Sequence, residues 1–431
     1  MPERKTIYLC LAHMSEEGIE QKYVKEAFDT NWIVPLGPNV NGFEEDLKKF
    51  VNQGHCNAVD SSQRDIKEVV ALSAGTAAVH LALLACGVGV GDEVLVQSFT
   101  FCASSHPITY LGATPVFVDS EVDTWNIDPD LLEEAINDRI RKTGKKPKAI
   151  VPVALYGMPY DCVRVMEIAN RYDIPVIEDA AEGFGSKFNG KVLGTFGNFG
   201  VLSFNGNKMI TTSGGGALIC ADAESKNNIM WYATQAREAY PYYQHEAIGY
   251  NYRMSNVCAG IGRGQMTVAQ AHIDHHKHIQ ALYEELLANV AGITMHKQPA
   301  ASEYDSNFWL CTAMLHPSLK IIGQENAYKN IIETAVGGVG GVIHEVDSAT
   351  TDCQPNDNVE ALRLYMLSKK VEVRPVWKPM HKQPVYKNAP AYVNGVSEAI
   401  FKVGICLPSG PCVTDDDVRY VVECIKEAIV K

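Results

Sequence analysis

The sequence predicts an α/β fold in two parts: a large unit built on a mainly parallel sheet flanked by helices, then a smaller C-terminal α+β unit. Two patterns carry this. From residue 69, short β-branched runs alternate with helical stretches, as strands joined by crossover helices do. After about residue 255 the strands stop and a long polar helical pattern takes over. The length of 431 residues, with 46% apolar and 21% charged residues, suits a globular protein of more than one core and excludes a disordered or fibrous chain.

The first sixty residues mix polar helix-like turns with a loop, NWIVPLG (31–37), and an amphipathic stretch near Phe43–Val51. Seven strands are then expected: VVALS (69–73), EVLVQ (93–97), PVFVD (115–119), AIVPVA (149–154), PVIED (175–179), GVLSF (200–204) and ALICA (217–221). Helices are expected between most of them, over 76–86, 129–141 and 161–173 among others. The last connections are short enough for one late strand to run antiparallel. A polar helix is expected from Gln265 to Asn289, and the remainder mixes helix and strand. The boundary between the units is placed at 265, giving 1–265 and 266–431. GGVGGV (337–342) and SATTDCQPNDN (348–358) read as a loop or insertion. The run Gly87-Val88-Gly89-Val90-Gly91 follows a helix rather than a strand, so it is a helix stop and not a dinucleotide fingerprint.

Acidic residues outnumber basic ones, 51 to 38, for a formal charge of −13. Such a surface repels nucleic acid and anionic membranes, although a pocket can still be locally positive. Of the twelve cysteines no two stand three apart, so no zinc ribbon or thioredoxin-type pair is expected. A large reduced chain of the cytoplasm fits this usage better than a disulfide scaffold. The opening residues hold too short an apolar stretch for a signal peptide, and the most apolar run, 78–90, is shorter than the roughly 18 residues of a membrane span. His272, His275, His276 and His278 are expected on a solvated helix face rather than at a metal, with no thiol or acid following at ligand spacing.

In open parallel sheets ligands bind at the carboxyl ends of strands, and three features fall there. VVALSAGTAAVHLALL gives a strand, a small-residue turn and a helix opening at Thr76-Ala77, whose free N–H groups suit a phosphate or serve as a simple cap. PVIEDAAEGFGS puts Glu178 and Asp179 at a strand end among apolar neighbours, where a carboxylate must be paired to stay ionised. GVLSFNGNKMITTSGGGALI holds Lys208 in a tight polar loop beside three glycines that let the backbone approach a planar group. A lysine so held becomes a nucleophile for carbonyl chemistry. Phosphate cradle, strand-end acid and loop lysine together match pyridoxal 5'-phosphate, which needs all three.

The same segments, with GYNYRMSN (249–256), NWIVPLGPNV near the start and RPVWKPMHKQPVY and CLPSG near the end, closely resemble the DegT-type nucleotide-sugar aminotransferases. The resemblance runs from about residue 6 to 430 and departs from the family around 52–68 and 321–358. It implies the fold-type-I aminotransferase architecture, with a seven-stranded sheet in the large unit and a homodimer sharing its active sites. TQARE and SFNGNK are most similar to the branch that aminates UDP-4-keto sugars in bacillosamine synthesis.

Carried over residue by residue, the resemblance makes Lys208 the Schiff-base lysine and proton shuttle, and Asp179 the partner of the pyridinium nitrogen. Glu182 falls near the ring hydroxyl. Thr76 and Ala77 offer N–H groups, and Ser203 its hydroxyl, to the phosphate. Asn251 reaches that phosphate from the second subunit. Phe101, in preference to Phe99, stacks on the ring. Trp32, Ile33, Val34, Pro35, Arg374, Trp377 and His381 are candidates for the nucleotide-sugar pocket. Arg374 and Arg253 are the candidate cations for the dicarboxylate and diphosphate. Tyr240, Tyr242 and Tyr243 either line the pocket or pack between subunits.

The implied reaction moves an amino group from L-glutamate to C4 of a UDP-linked 2-acetamido-2,6-dideoxy-4-ketohexose, by ping-pong chemistry through a Lys208 aldimine. The alternatives are another 4-keto or 3-keto nucleotide sugar, as in GDP-perosamine synthesis, or a catalytically silent cofactor-binding regulator. A sugar dehydratase of the same fold would carry histidine in place of Lys208. No metal and no nucleic acid is expected.

Overall fold

The computed structural model describes residues 4–53, 66–328 and 353–430. GGVGGV, the first part of SATTDCQPNDN and most of the two divergent stretches lie outside the described residues. Two helices come first, α1 (Ile19–Asp29) and α2 (Pro38–Val51). Pro38 opens α2 with its preset φ, and Val40, Phe43, Leu47, Phe50 and Val51 form the buried face that the amphipathic pattern predicts.

The sheet region follows: β1 (Glu68–Leu72), α3 (Gly75–Ala85), β2 (Glu93–Gln97), a short α4 (His106–Tyr110) and β3 (Thr114–Val118). Next come α5 (Pro129–Thr143), β4 (Ala149–Val151), α6 (Cys162–Tyr172) and β5 (Ile177–Asp179). Asp128 and Asp161 cap α5 and α6 through their carboxylates. A small hairpin, β6 (Lys187–Phe188) and β7 (Lys191–Val192), precedes β8 (Phe199–Ser203), β9 (Gly216–Cys220) and α7 (Ala223–Ala233). Gly87 and Gly91, both with positive φ, end α3 and make the turn into β2.

All seven expected strands form, but not as one seven-stranded ladder. They divide between two four-stranded sheets, one ordered β1-β9-β8-β5, the other built of β3, β2 and β4 with a C-terminal strand on its edge. Between β4 and β5 only the parallel bridges Ile150↔Val176 and Val153↔Asp179 remain. Pro152 and Pro175 lie at this seam; each accepts a hydrogen bond, from Asp179 and Ile150 respectively, and neither can donate one. The late antiparallel strand is β9, which opposes both β8 and β1.

The C-terminal part contains α8 (Asn256–Met266), α9 (Ala269–Leu287), β10 (Ile293–Met295), β11 (Tyr304–Asp305), β12 (Cys311–Leu315) and α10 (Asp357–Ser368). It ends with β13 (Arg374–Pro375), β14 (Ala391–Tyr392), α11 (Val396–Val403), β15 (Gly404–Leu407) and α12 (Asp415–Ala428), the last opened by a Thr414/Asp417 capping box. β10, β12, β15 and β13 make an antiparallel sheet. Tyr283, Leu315, Leu362, Met366, Val418 and Ile425 fill a core of their own beside it. β14 leaves this region to pair in parallel with β3.

The four histidines of α9 do not share a solvated face. His272 and His276 are buried and bond to the carbonyls of Met209 and Phe308, whereas His278 is exposed and meets Asp415. Their 272/276 spacing places them on the inner side of the helix. No helix among the described residues is long and apolar enough to cross a membrane.

Candidate active site

A cavity of about 310 Å³ opens where β1, β5 and β8 end. The turn after β1 leaves Ala74 extended and starts α3 at Gly75 without any side-chain cap. The first N–H groups of that helix therefore point their partial positive charge at the cavity. Two glycines make the close packing possible. A Cβ on Gly216 would collide with the backbone of Ala74 and Gly75, and one on Gly75 would come within 3.1 Å of the Ser203 side chain.

Asp179, at the end of β5, is buried and accepts hydrogen bonds from Ser104 Oγ at 2.6 Å and from the Ala181 N–H at 3.1 Å. Three residues on, Glu182 accepts the Tyr156 N–H at 2.7 Å and faces Lys208 Nζ at 3.4 Å. The Lys208 ammonium lies over the Trp309 ring, 3.9 Å from its centroid. Burial pushes the Asp179 and Glu182 carboxyls above their ordinary range, while the charge of Lys208 pulls both back down. Glu178, one residue before Asp179, is absorbed by structure: the N–H groups of Gly194, Phe196 and Gly197 saturate it.

Of the residues expected from sequence, Thr76, Phe101, Asp179, Glu182, Ser203, Lys208 and Trp377 line this one cavity. Ala77 is buried in the first turn of α3. Phe101 is half exposed and 5.3 Å from the Trp377 ring, whereas Phe99 is buried against Trp125. The structure does not bring the remaining candidates to the cavity of the same chain. Trp32, Ile33, Val34 and Pro35 are exposed, their loop held by Asn256. Asn251 is exposed, bridged to Thr234. Tyr240, Tyr242 and Tyr243 project from the same region. Arg374 pairs with Glu372, and His381 Nδ1 bonds to Ser98 Oγ at 2.6 Å.

Arg253 likewise has a structural task. Its side chain is buried, donating to Glu44 Oε1 at 2.5 Å and to the Ala71 carbonyl, so it ties α2 to β1. Breaking such a pair on one side costs about 3–5 kcal/mol. Among the described residues lining the cavity there is no arginine.

Several lining or supporting groups escaped the sequence reading: Ser104, Tyr156, Asn205, Asn207 and Trp309. Ser104 sits in FCASS, close after the Phe101 that was singled out, and a hydroxyl near a strand end was its one signal. Trp309 stands just before β12, a hundred residues beyond Lys208, with no local pattern to mark it.

The residues present fit pyridoxal phosphate. An uncapped helix start beside Ser203 suits its phosphate, the buried Asp179 its ring nitrogen, Phe101 its ring face and Lys208 its aldehyde. The sequence model of the DegT/DnrJ/EryC1/StrS aminotransferase family matches residues 14–345 and 341–426. EpsN of Bacillus subtilis, whose description names a pyridoxal phosphate-dependent aminotransferase and no substrate, is 40% identical over 425 residues, 98% of this chain and 95% of that one. The GDP-perosamine synthase of Escherichia coli O157:H7 is 32% identical over 420 residues, 97% and 98% of the two chains. A crystal structure of a DegT DnrJ EryC1 StrS aminotransferase from Brucella abortus superposes with a TM-score of 0.78 at 24% identity, covering 96% of each chain. With this site on this fold, the chain belongs to the DegT/DnrJ/EryC1/StrS aminotransferase family and is an enzyme that uses pyridoxal phosphate to transfer amino groups.

Proposed function

We propose that the chain transfers an amino group from L-glutamate to C4 of a UDP-linked 2-acetamido-2,6-dideoxy-4-ketohexose. The observation that carries a transamination is the placing of Lys208 between Glu182 and Trp309, in one cavity with Asp179 and the open start of α3. The UDP-sugar assignment rests on the resemblance of TQARE and SFNGNK to that branch.

Bound pyridoxal phosphate supplies an aldehyde that takes up the amino group and a ring that delocalises the electron pair left at Cα. The chain does the rest. The N–H groups of Thr76 and Ala77 and the Ser203 hydroxyl hold the phosphate. Asp179, oriented by Ser104, keeps a proton on the ring nitrogen. Phe101 covers one face of the ring, and Glu182 lies near the ring hydroxyl. Lys208 Nζ carries the proton away from the donor's Cα and delivers one to C4 of the sugar in the second half-reaction. Asn251 completes the phosphate site from a second copy of the chain, so the homodimer is the working unit. Trp32 to Pro35, Arg374, Trp377 and His381 serve the nucleotide sugar, the exposed ones from across the dimer. The boundary near 265 separates the cofactor unit from the smaller one. A cytoplasmic setting is supported by the described cysteines, all of them free thiols.

A second reading, amination of a GDP-linked 4-keto sugar, is favoured by the GDP-perosamine synthases at 32% and 33% identity. A panel of UDP-, GDP- and dTDP-linked 4-keto sugars with glutamate, read by mass spectrometry, separates the two. The UDP-acetamido sugar should gain an amine and release 2-oxoglutarate. Turnover of the GDP sugar alone replaces the first reading with the second, and no product from any sugar removes both.

A further inference from the structure

Tyr156 is the residue on which the surroundings of Lys208 converge. Its backbone is left-handed, φ 54 and ψ 18, a conformation that costs a bulky side chain energy and is kept where the fold needs it. That conformation turns its N–H toward Glu182 Oε2, 2.7 Å away, while the other oxygen of Glu182 faces Lys208 Nζ at 3.4 Å. Its ring, 4% exposed, lies between two tryptophans that line the cavity. It is near-parallel to both, at 20° and 6.5 Å from Trp309 and at 21° and 6.2 Å from Trp377. Its hydroxyl accepts the backbone N–H of Trp377 at 2.7 Å. Trp309 in turn is locked by its indole N–H, which donates to the Asn207 carbonyl at 2.6 Å beside Lys208.

We infer that Tyr156 is a positioning residue for the Lys208 amine: its backbone fixes Glu182 and its ring braces Trp309, the two groups that flank the nitrogen. Through its hydroxyl it also ties this pair to Trp377 on the opposite wall. The charged and titratable groups facing the amine are Glu182, Asp179 and the buried thiol of Cys10, with the Trp309 face completing the shell. An aromatic face and a carboxylate both favour the cationic form of a nitrogen between them. Tyr156 therefore sets how tightly the cofactor-linked nitrogen of Lys208 holds its proton.

The inference rests on Lys208 as the cofactor-bearing residue, and the test separates the two claims. The visible absorbance of the pyridoxal phosphate-loaded protein is titrated against pH for wild type, Tyr156→Phe and Tyr156→Gly. The phenylalanine variant keeps the ring and the N–H, so it should titrate as wild type while its KM for the sugar nucleotide rises several-fold at unchanged kcat. The glycine variant keeps the backbone conformation and loses the ring, and its midpoint should fall by about half a pH unit to one unit. A folded glycine variant with the wild-type midpoint overturns the inference. Should that variant not fold, Tyr156→Asn, a residue type that tolerates the left-handed backbone and likewise lacks the ring, takes its place: a lowered midpoint supports the inference and the wild-type midpoint overturns it. A Lys208→Ala variant that keeps the pH-dependent cofactor absorbance of the wild type defeats the functional reading as well.

Discussion

Asp179 shows what a single side chain contributes and what it requires. Its carboxyl is buried, so in the cofactor-free protein it binds a proton more tightly folded than unfolded. The stability it gives is present below its ordinary pKa and is lost as pH rises from about 4 through the raised value. Cofactor-free wild type should therefore lose Tm relative to Asp179→Asn across that window, followed by differential scanning calorimetry; a constant difference between the two would show that no such shift exists. In the loaded enzyme the same substitution should lower kcat by about 10²–10⁴, because an uncharged amide no longer keeps the ring nitrogen protonated. Lys208, Asp179 and Thr76 were legible in the sequence because each ends or follows a strand within a few residues of a glycine or a helix start. Ser104, Tyr156 and Trp309 were not. Each reaches the site through contacts with residues 75, 26 and 101 positions away, and no local pattern records such distances.

Among the elements, α9 carries the clearest consequence. A polar helix was expected over this stretch, with its histidines in water, yet helical periodicity turns His272 and His276 inward. Polarity alone was the wrong guide, since imidazoles can be satisfied by main-chain carbonyls. Burial holds His276 neutral, its pKa pushed down to about 3, and His296 to about 4. An unfolded chain protonates these groups near pH 6.5, so each subtracts stability as pH falls from there toward its folded value. A His276→Gln variant should consequently show a shallower loss of Tm between pH 7 and pH 4 than wild type, and an equally steep loss would contradict this. Six of the strands were legible to within a residue or two because alternation with helices marks them, while β4 stops at Val151, three residues short of the expected end and just before Pro152. The seam between β4 and β5 was present in the sequence as Pro152 and Pro175, but its meaning depends on which strands are neighbours.

At the scale of the whole molecule, the cavity of one chain is lined by no arginine among the described residues and does not include Asn251, which the proposed dimer would supply. Lys208→Ala and Asn251→Ala should each be inactive alone. Mixed, unfolded and refolded together, they should recover about a quarter of wild-type activity, since half the dimers would hold one intact site. No recovery in a mixture shown to contain heterodimers would place Asn251 in its own chain's site. The sequence could announce such sharing only through resemblance, because nothing within one chain records which surface meets a copy of itself. The pairing of β14 with β3 bears on how the protein is made. The amides of Phe117 and Asp119 find their acceptors at Pro390 and Tyr392, near the far end of the chain. Until residue 392 has been added during synthesis, this edge of β3 has no strand to pair with, so its amides meet only water or whatever other strand comes near.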